Sequence, residues 1–130
     1  MPSFSRKSNE IVNTCTAGSQ AILREAIKHF DFSVIWGHRG EDDQNEAFDA
    51  GASRNRWPTS KHNKYPSRAF DIVPYPEGYG ADYGRFYEMA TYIYAAASKL
   101  GIPIEWGGHW ISYTGKGHND RDWAHFNLRE

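Results

Sequence analysis

The sequence contains a single cysteine, Cys15, among its 130 residues. An intrachain disulfide is therefore impossible, and a zinc site built from several cysteine thiolates is excluded. No second cysteine stands near Cys15 in a Cys-x-x-Cys arrangement. We expect Cys15 to be a small side chain that is buried or half-buried.

The chain also lacks a long apolar segment. Its first ten residues are mostly polar and do not resemble a signal peptide, and no segment approaches the length that crosses a membrane. We therefore expect a protein that is made soluble in the cytoplasm and has no membrane partner. If its target lies outside the cell, delivery must depend on something other than a signal peptide.

The formal net charge is only -1 at pH 7. This balance argues against a nucleic-acid binder, because such proteins depend on a broad basic surface. Hydrophobic residues make up 39% of the chain and aromatic residues 15%, which is typical of a folded protein and not of a disordered one. The length predicts one domain over residues 1–130 that buries its own core.

Apolar periodicity and turn residues divide the chain into helices and strands. The predicted helices cover 19–30, with Ser19 or Thr16 as the cap, 41–50 and 82–100, and the predicted strands cover 32–36, 69–73, 104–106 and 123–128. Residues 1–15 are expected to wrap the edge of the domain. Because the elements do not alternate in a βαβ rhythm, we predict a small α+β domain with helices packed on a mainly antiparallel sheet.

A histidine and an aspartate lie nine positions apart in the segment 60–72. Pro66 lies between them and would interrupt a helix, so His62 is expected on a loop and Asp71 on the following strand. His125, near the C-terminus, can supply a third ligand. Two imidazoles and one carboxylate suit a catalytic zinc site whose fourth position stays open for water. Each histidine alone is more typical of a hydrogen-bonded structural residue, but the combination favours a metal.

Asp122 precedes His125 by three residues. Strand alternation would direct it away from the metal, so it must lie at a bend if it is to approach the site. There it could take a proton from the attacking water and pass it to a leaving amine. The alternative is a surface acid that pairs with a neighbouring arginine.

Four short motifs follow one another along the chain. They are Ser-x-His at 60–62, Ala-x-Asp at 69–71, Trp-Gly-Gly at 106–108 and Asp-x-x-His-Phe at 122–126. Their order resembles the zinc peptidases that cut peptidoglycan stem peptides. These are the D-alanyl-D-alanine carboxypeptidases and L-alanyl-D-glutamate endopeptidases, including bacteriophage endolysins. An early Gly-x-Arg followed by a glutamine also fits, and the resemblance runs from about residue 35 to residue 128.

The resemblance implies a role for each matching residue. It implies zinc ligands at His62, Asp71 and His125, and a general base at Asp122. It also implies that Arg39 stabilises the oxyanion of the tetrahedral intermediate, which suits a permanently charged guanidinium. Without the resemblance, Arg39 could equally pair with the acids that begin the next predicted helix.

The resemblance extends to residues that would line the site or bind substrate, namely Ser60 and Gln44. These could equally be a turn hydroxyl and a helix-surface amide. His109 stands where relatives often have an acid, so it would either contact substrate or form a hydrogen bond within its loop. The interval between His62 and Asp71 is longer than in many relatives, and we expect it to reshape one rim of the cleft. Trp57 and Trp110 are the tryptophans best placed to form a cleft wall.

The leading hypothesis is a monomeric zinc endopeptidase that cleaves L-alanyl-D-glutamate bonds in peptidoglycan during phage lysis. It would reach the wall after the inner membrane is permeabilised. The alternatives are a D-Ala-D-Ala carboxypeptidase or dipeptidase and a non-catalytic zinc-binding module that recognises the wall. A histidine-dependent nuclease is disfavoured by the charge balance.

Overall fold

The computed structural model describes residues 2–109 and 122–129 of the chain. This part contains four α-helices and four β-strands that form one small α+β domain. The helices are α1 (Arg6–Val12), α2 (Ala17–Ala26), α3 (Glu41–Asp49) and α4 (Tyr83–Leu100), and the strands are β1 (Phe32–Trp36), β2 (Ala69–Pro74), β3 (Ile104–Trp106) and β4 (His125–Leu128). The predicted fold class is confirmed.

The strands form one sheet in the order β1-β2-β4-β3, and every neighbouring pair is antiparallel. The chain therefore places β4, its last strand, in the interior of the sheet between β2 and β3. Asp71 on β2 lies directly opposite His125 on β4. Strand pairing thus brings together two residues that are far apart in sequence.

Local sequence signals explain where the helices begin and end. The Thr16 hydroxyl accepts a hydrogen bond from the Ser19 amide at 3.3 Å, so Thr16 is the cap of α2 and Ser19 lies inside the helix. The Asp82 carboxylate caps α4 in the same way, accepting from the Arg85 amide at 2.9 Å. Gly101 ends α4 with a φ of 69°, a left-handed conformation that glycine adopts without steric cost.

The largest differences from the predicted elements lie at three places. Residues 1–15 do not simply wrap the edge, because α1 packs on β1 with its Ser8 hydroxyl accepting a hydrogen bond from the Val34 amide at 3.0 Å. A helix of seven residues is too short to show a clear apolar period. The second helix ends at Ala26, four residues early, and Trp123 lies in a turn before β4.

The two faces of the sheet serve different purposes. Phe70, Phe126 and Trp106 pack on one face, in the hydrophobic core formed with α2 and α4. Asp71 and His125 alternate with these core residues along their strands and so lie on the opposite face.

Within the described residues, no helix combines the length and hydropathy needed to cross a bilayer.

Candidate metal centre and cleft

The three predicted metal ligands form an equilateral triangle. The Nε2 atom of His62, the Nδ1 atom of His125 and the Oδ1 atom of Asp71 are each 3.2 Å from the other two. All three residues are nearly inaccessible to solvent, with exposed fractions of 3%, 6% and 7% respectively. Such a group could hold a metal ion.

The outer nitrogen of each histidine is already engaged. The Nδ1–H group of His62 donates to the carbonyl oxygen of Gly37 at 2.8 Å, and the Nε2–H group of His125 donates to Oδ1 of Asn127 at 2.9 Å. These bonds fix the tautomers, so the inner nitrogens carry lone pairs directed at each other and at the carboxylate. Three converging acceptors repel one another unless a proton or a metal cation lies among them.

The electrostatics of the triangle favour a cation. Burial raises the pKa of Asp71, but when a proton lies on an inner histidine nitrogen, the charge of His62 and hydrogen bonds from the histidines outweigh burial and hold that pKa well below its ordinary value. Burial alone would lower the pKa of His125, yet its hydrogen bond with Asp71 raises it. The carboxylate therefore stays ionised and stabilises positive charge beside it.

Gly37 positions the carbonyl that orients His62. A Cβ atom at this position would lie 2.5 Å from the Thr14 hydroxyl and 2.8 Å from the Cys15 sulfur. Only glycine allows the loop after β1 to approach the end of α1 this closely. The buried Cys15 has the structural placement expected of it, and burial raises the pKa of its thiol to about 11.

Arg39 lies beside the triangle and is itself buried. Its Nη2 atom is 3.5 Å from Oδ2 of Asp71, and its guanidinium stacks over the Trp36 ring at 4.7 Å. Its Nη1 atom donates to Oε1 of Gln44 at 3.2 Å. The positive charge is thus fixed next to the ligand carboxylate and does not pair with the acids of α3.

Gln44 is fully buried and supports Arg39 from behind. Its Oε1 atom also accepts from Asn63 at 3.0 Å, and its Nε2 atom donates to the Ser53 hydroxyl at 2.9 Å. This placement excludes the helix-surface alternative. It suits a residue that positions Arg39 better than one that contacts substrate.

Asp122 stands at a bend immediately before β4, as its predicted role required. Its amide donates to the Gly107 carbonyl at 3.0 Å, and a Cβ atom at Gly107 would overlap the Asp122 backbone. Its carboxyl group faces the cleft, where desolvation by surrounding protein atoms and the charge of Asp71 raise its pKa. The Trp-Gly-Gly motif therefore allows the segment that carries this acid to approach closely.

A cleft of about 620 Å³ joins these groups. Arg39, Ser60, Asp122 and the three predicted ligands all line it. Tyr79 and Tyr83 also line it and were not predicted, because a tyrosine in a turn or at the start of a helix carries no specific motif. Desolvation and the nearby carboxylates raise the pKa of Tyr79 to about 12, so its hydroxyl stays protonated.

His109 and Trp57 do not line the cleft. Nδ1 of His109 is 3.3 Å from the Tyr94 hydroxyl on α4, and its ring packs against Trp106. Trp57 is half-buried and does not line the cleft, so the expectation of a cleft wall there is not met. Trp110 lies outside the described residues.

Comparison with known proteins gives the chain a family. The family model for phage L-alanyl-D-glutamate peptidases matches residues 2–128. The chain belongs to this family. A crystal structure of the Serratia marcescens L-Ala D-Glu endopeptidase ChiX has the same fold, with a TM-score of 0.75 and 29% sequence identity over 97% of this chain and 89% of that one. No curated protein sequence matches the chain.

The segment that matches the phage L-alanyl-D-glutamate peptidase family contains both sequence segments that form the candidate site. The matched segment includes His62 and Asp71 as well as Asp122 and His125. Sequence reasoning assigned no role at this site to Asn63, which donates to Gln44, or to Asn127, which accepts from His125. A usable signal existed for Asn127, because it stands two residues after His125 and therefore on the same face of the strand.

Proposed function

We propose that the protein is a zinc-dependent endopeptidase that cleaves the L-alanyl-D-glutamate bond in peptidoglycan stem peptides during phage lysis of a host. The observation that carries this proposal is the buried triangle of two oriented imidazole lone pairs and one ionised carboxylate. Its position in a cleft that also contains Asp122 and Arg39 supports a catalytic site over a purely structural one. Membership of the peptidase family supports the choice of bond.

The donor set fits zinc. A tetrahedral zinc ion with bonds of about 2.0 Å separates its ligand atoms by about 3.3 Å. The three ligand atoms here are 3.2 Å apart. Two histidines and one carboxylate leave the fourth position available for water or substrate, as in catalytic zinc sites.

Each of these cleft residues has a separate role in the proposed reaction. When bound, zinc would polarise the scissile carbonyl and lower the pKa of the attacking water. Asp122 takes a proton from that water and delivers it to the nitrogen of the departing amine. Arg39 stabilises the negative charge that develops on the carbonyl oxygen, since its charge is permanent and its orientation is fixed by buried contacts.

The proposed partner is the peptide portion of the cell wall, and the protein acts there as a monomer. The cleft draws all of its catalytic groups from one chain, so a second subunit is not needed to complete it. Access to the wall follows permeabilisation of the inner membrane. Size-exclusion chromatography with light scattering tests the monomeric state.

The decisive experiment is digestion of purified peptidoglycan followed by mass spectrometry of the products. New alanine C-termini paired with new glutamate N-termini are expected, together with loss of activity in a chelator and recovery on adding zinc. Release of terminal D-Ala would instead indicate a carboxypeptidase. Zinc binding with no cleavage at all would indicate a wall-recognition module.

A further inference from the structure

A second cavity, of about 460 Å³, lies beside the cleft and has no place in the mechanism above. We call it the basic pocket. Its charged and buried polar lining consists of Lys61, Lys64, Arg68, Arg129, Glu105 and Asn127. Four cationic side chains therefore face one carboxylate in a protein whose net charge is close to zero. The excess positive charge predicts an anionic ligand.

The basic pocket and the metal centre lie along the same face of the sheet. Asn127 stands two residues after His125 on β4, so their side chains project from the same face of the sheet, and Oδ1 of Asn127 lies 2.9 Å from Nε2 of His125. Glu105 on β3 pairs directly with Asn127 and extends this face to the edge strand. Asn127 is 1% exposed, and its Oδ1 atom accepts the hydrogen bond from His125. The floor of the pocket is thus the residue that orients a metal ligand.

The two cavities share a wall at Ser60, which lines both of them. The next two residues diverge, since Lys61 lines the basic pocket and His62 lines the cleft. Hydrogen bonds hold this turn in place: the Ser60 hydroxyl accepts from the His62 amide at 3.2 Å, and Asn63 accepts from the Ser60 amide at 3.0 Å. One ligand can therefore extend from the cleft past Ser60 into the pocket.

We propose that the basic pocket binds a free carboxylate of the substrate on the leaving-group side of the scissile bond. This inference rests on the proposed function. Cleavage before a glutamate leaves that residue with two carboxyl groups, and only one of them can continue the peptide chain. The pocket floor at Asn127 contacts His125 directly, so an extended peptide, at about 3.3 Å per residue, reaches the pocket within the first residues after the scissile bond.

The test measures binding of a product-like probe to the zinc-loaded protein. The probe is D-glutamyl-L-glutamate, used with its carboxyl groups free or fully amidated, and its affinity is measured by calorimetry. The variant is Lys61→Gln/Lys64→Gln, both positions being exposed. We expect it to bind the free acid about 10-fold more weakly and to leave binding of the amidated peptide unchanged. Lys7→Gln, an exposed lysine on α1, is the matched control.

The outcomes separate this inference from the proposed function. Equal binding of the free acid by the double variant and the parent protein would overturn the basic pocket as a carboxylate site. Inorganic phosphate that competes as well as the dipeptide would also overturn it, because the pocket would then be a general anion site. Cleavage of peptidoglycan is measured in parallel, and there the double variant should raise KM and leave kcat unchanged. If the parent protein binds the probe but cleaves no peptidoglycan, only the proposed function fails.

Discussion

The metal triangle and the acid that faces it are held in different ways. Each histidine of the triangle is buried and oriented by a hydrogen bond, and the carboxylate lies on an interior pair of strands. Asp122 is exposed, and it is held by backbone hydrogen bonds with Gly107 and His125 and by the close approach that Gly107 allows. The geometry of the triangle is therefore set by the buried strands and loop of the domain, whereas the position of Asp122 is set by the turn before β4 at the rim of the cleft.

The largest loss of metal binding and activity is expected from a substitution in the buried triangle. His62→Ala removes one ligand and leaves the Gly37 carbonyl without its donor, so zinc binding should be lost. Activity should fall by roughly 1000-fold or more, since the metal supplies several kcal/mol of transition-state stabilisation. Metal content by atomic emission and peptidoglycan cleavage measure the two effects. His29→Ala, an exposed histidine of the segment after α2, should change neither. A His62→Ala protein that retained stoichiometric zinc would contradict the ligand assignment.

A substitution of the exposed Asp122 should lower activity without loss of metal. Asp122→Asn preserves the size of the side chain but cannot accept the proton, so kcat should fall roughly 100-fold to 10000-fold. Zinc content and the unfolding midpoint should stay near those of the parent protein, because the residue is exposed and does not belong to the triangle. Steady-state kinetics and metal analysis on the same preparation check both statements. Full activity in this variant would remove Asp122 from the mechanism. Asp31→Asn, at a half-buried acid outside the cleft, controls for the loss of charge.

The same contrast explains what the sequence could and could not predict. The group of His62, Asp71 and His125 that could hold a metal, and Asp122 near it, could be proposed from the sequence because metal chemistry restricts residue type and their motifs are short and local. The burial of Gln44 and the tautomer-fixing role of Asn127 were missed, because a polar side chain in a helix or strand gives no periodic signal of its own partners. The antiparallel sheet was predictable from the order of elements. Its strand order was not, because the register between β2 and β4 is a long-range pairing.

Substitution of Gln44 tests whether its hydrogen bond positions Arg39 for catalysis. Gln44→Leu keeps the volume but removes the acceptor for Arg39 and the donor to Ser53, so stability should fall by about 1–3 kcal/mol. If Gln44 positions Arg39, kcat should also fall, by roughly 10-fold, with KM little changed and zinc retained. Kinetics well below the unfolding midpoint separate the two effects. Gln20→Leu, at a half-buried glutamine on α2, should affect stability alone. Unchanged kcat in Gln44→Leu would restrict Gln44 to a structural role.

The smallest effect on stability is expected from the ion pairs between α2 and α4, which lie away from the triangle and from Asp122. Hydrogen bonds from Lys99 and then Lys28 lower the pKa of Glu25 from 4.5 to about 2, and they link α2 to α4. Because the folded-state pKa is the lower one, this carboxylate stabilises the fold above about pH 4.5 and loses its effect as the pH falls to about 2. Glu25→Gln should therefore be slightly less stable than the parent protein in urea at neutral pH, and the difference should vanish in acid. Glu46→Gln, an exposed acid on α3, should show no such dependence. Zinc binding and kcat should be unchanged in both variants, because the sheet that holds the proposed metal ligands does not need the ion pair between α2 and α4. A fall in zinc affinity in Glu25→Gln would show that the helices also position the ligands.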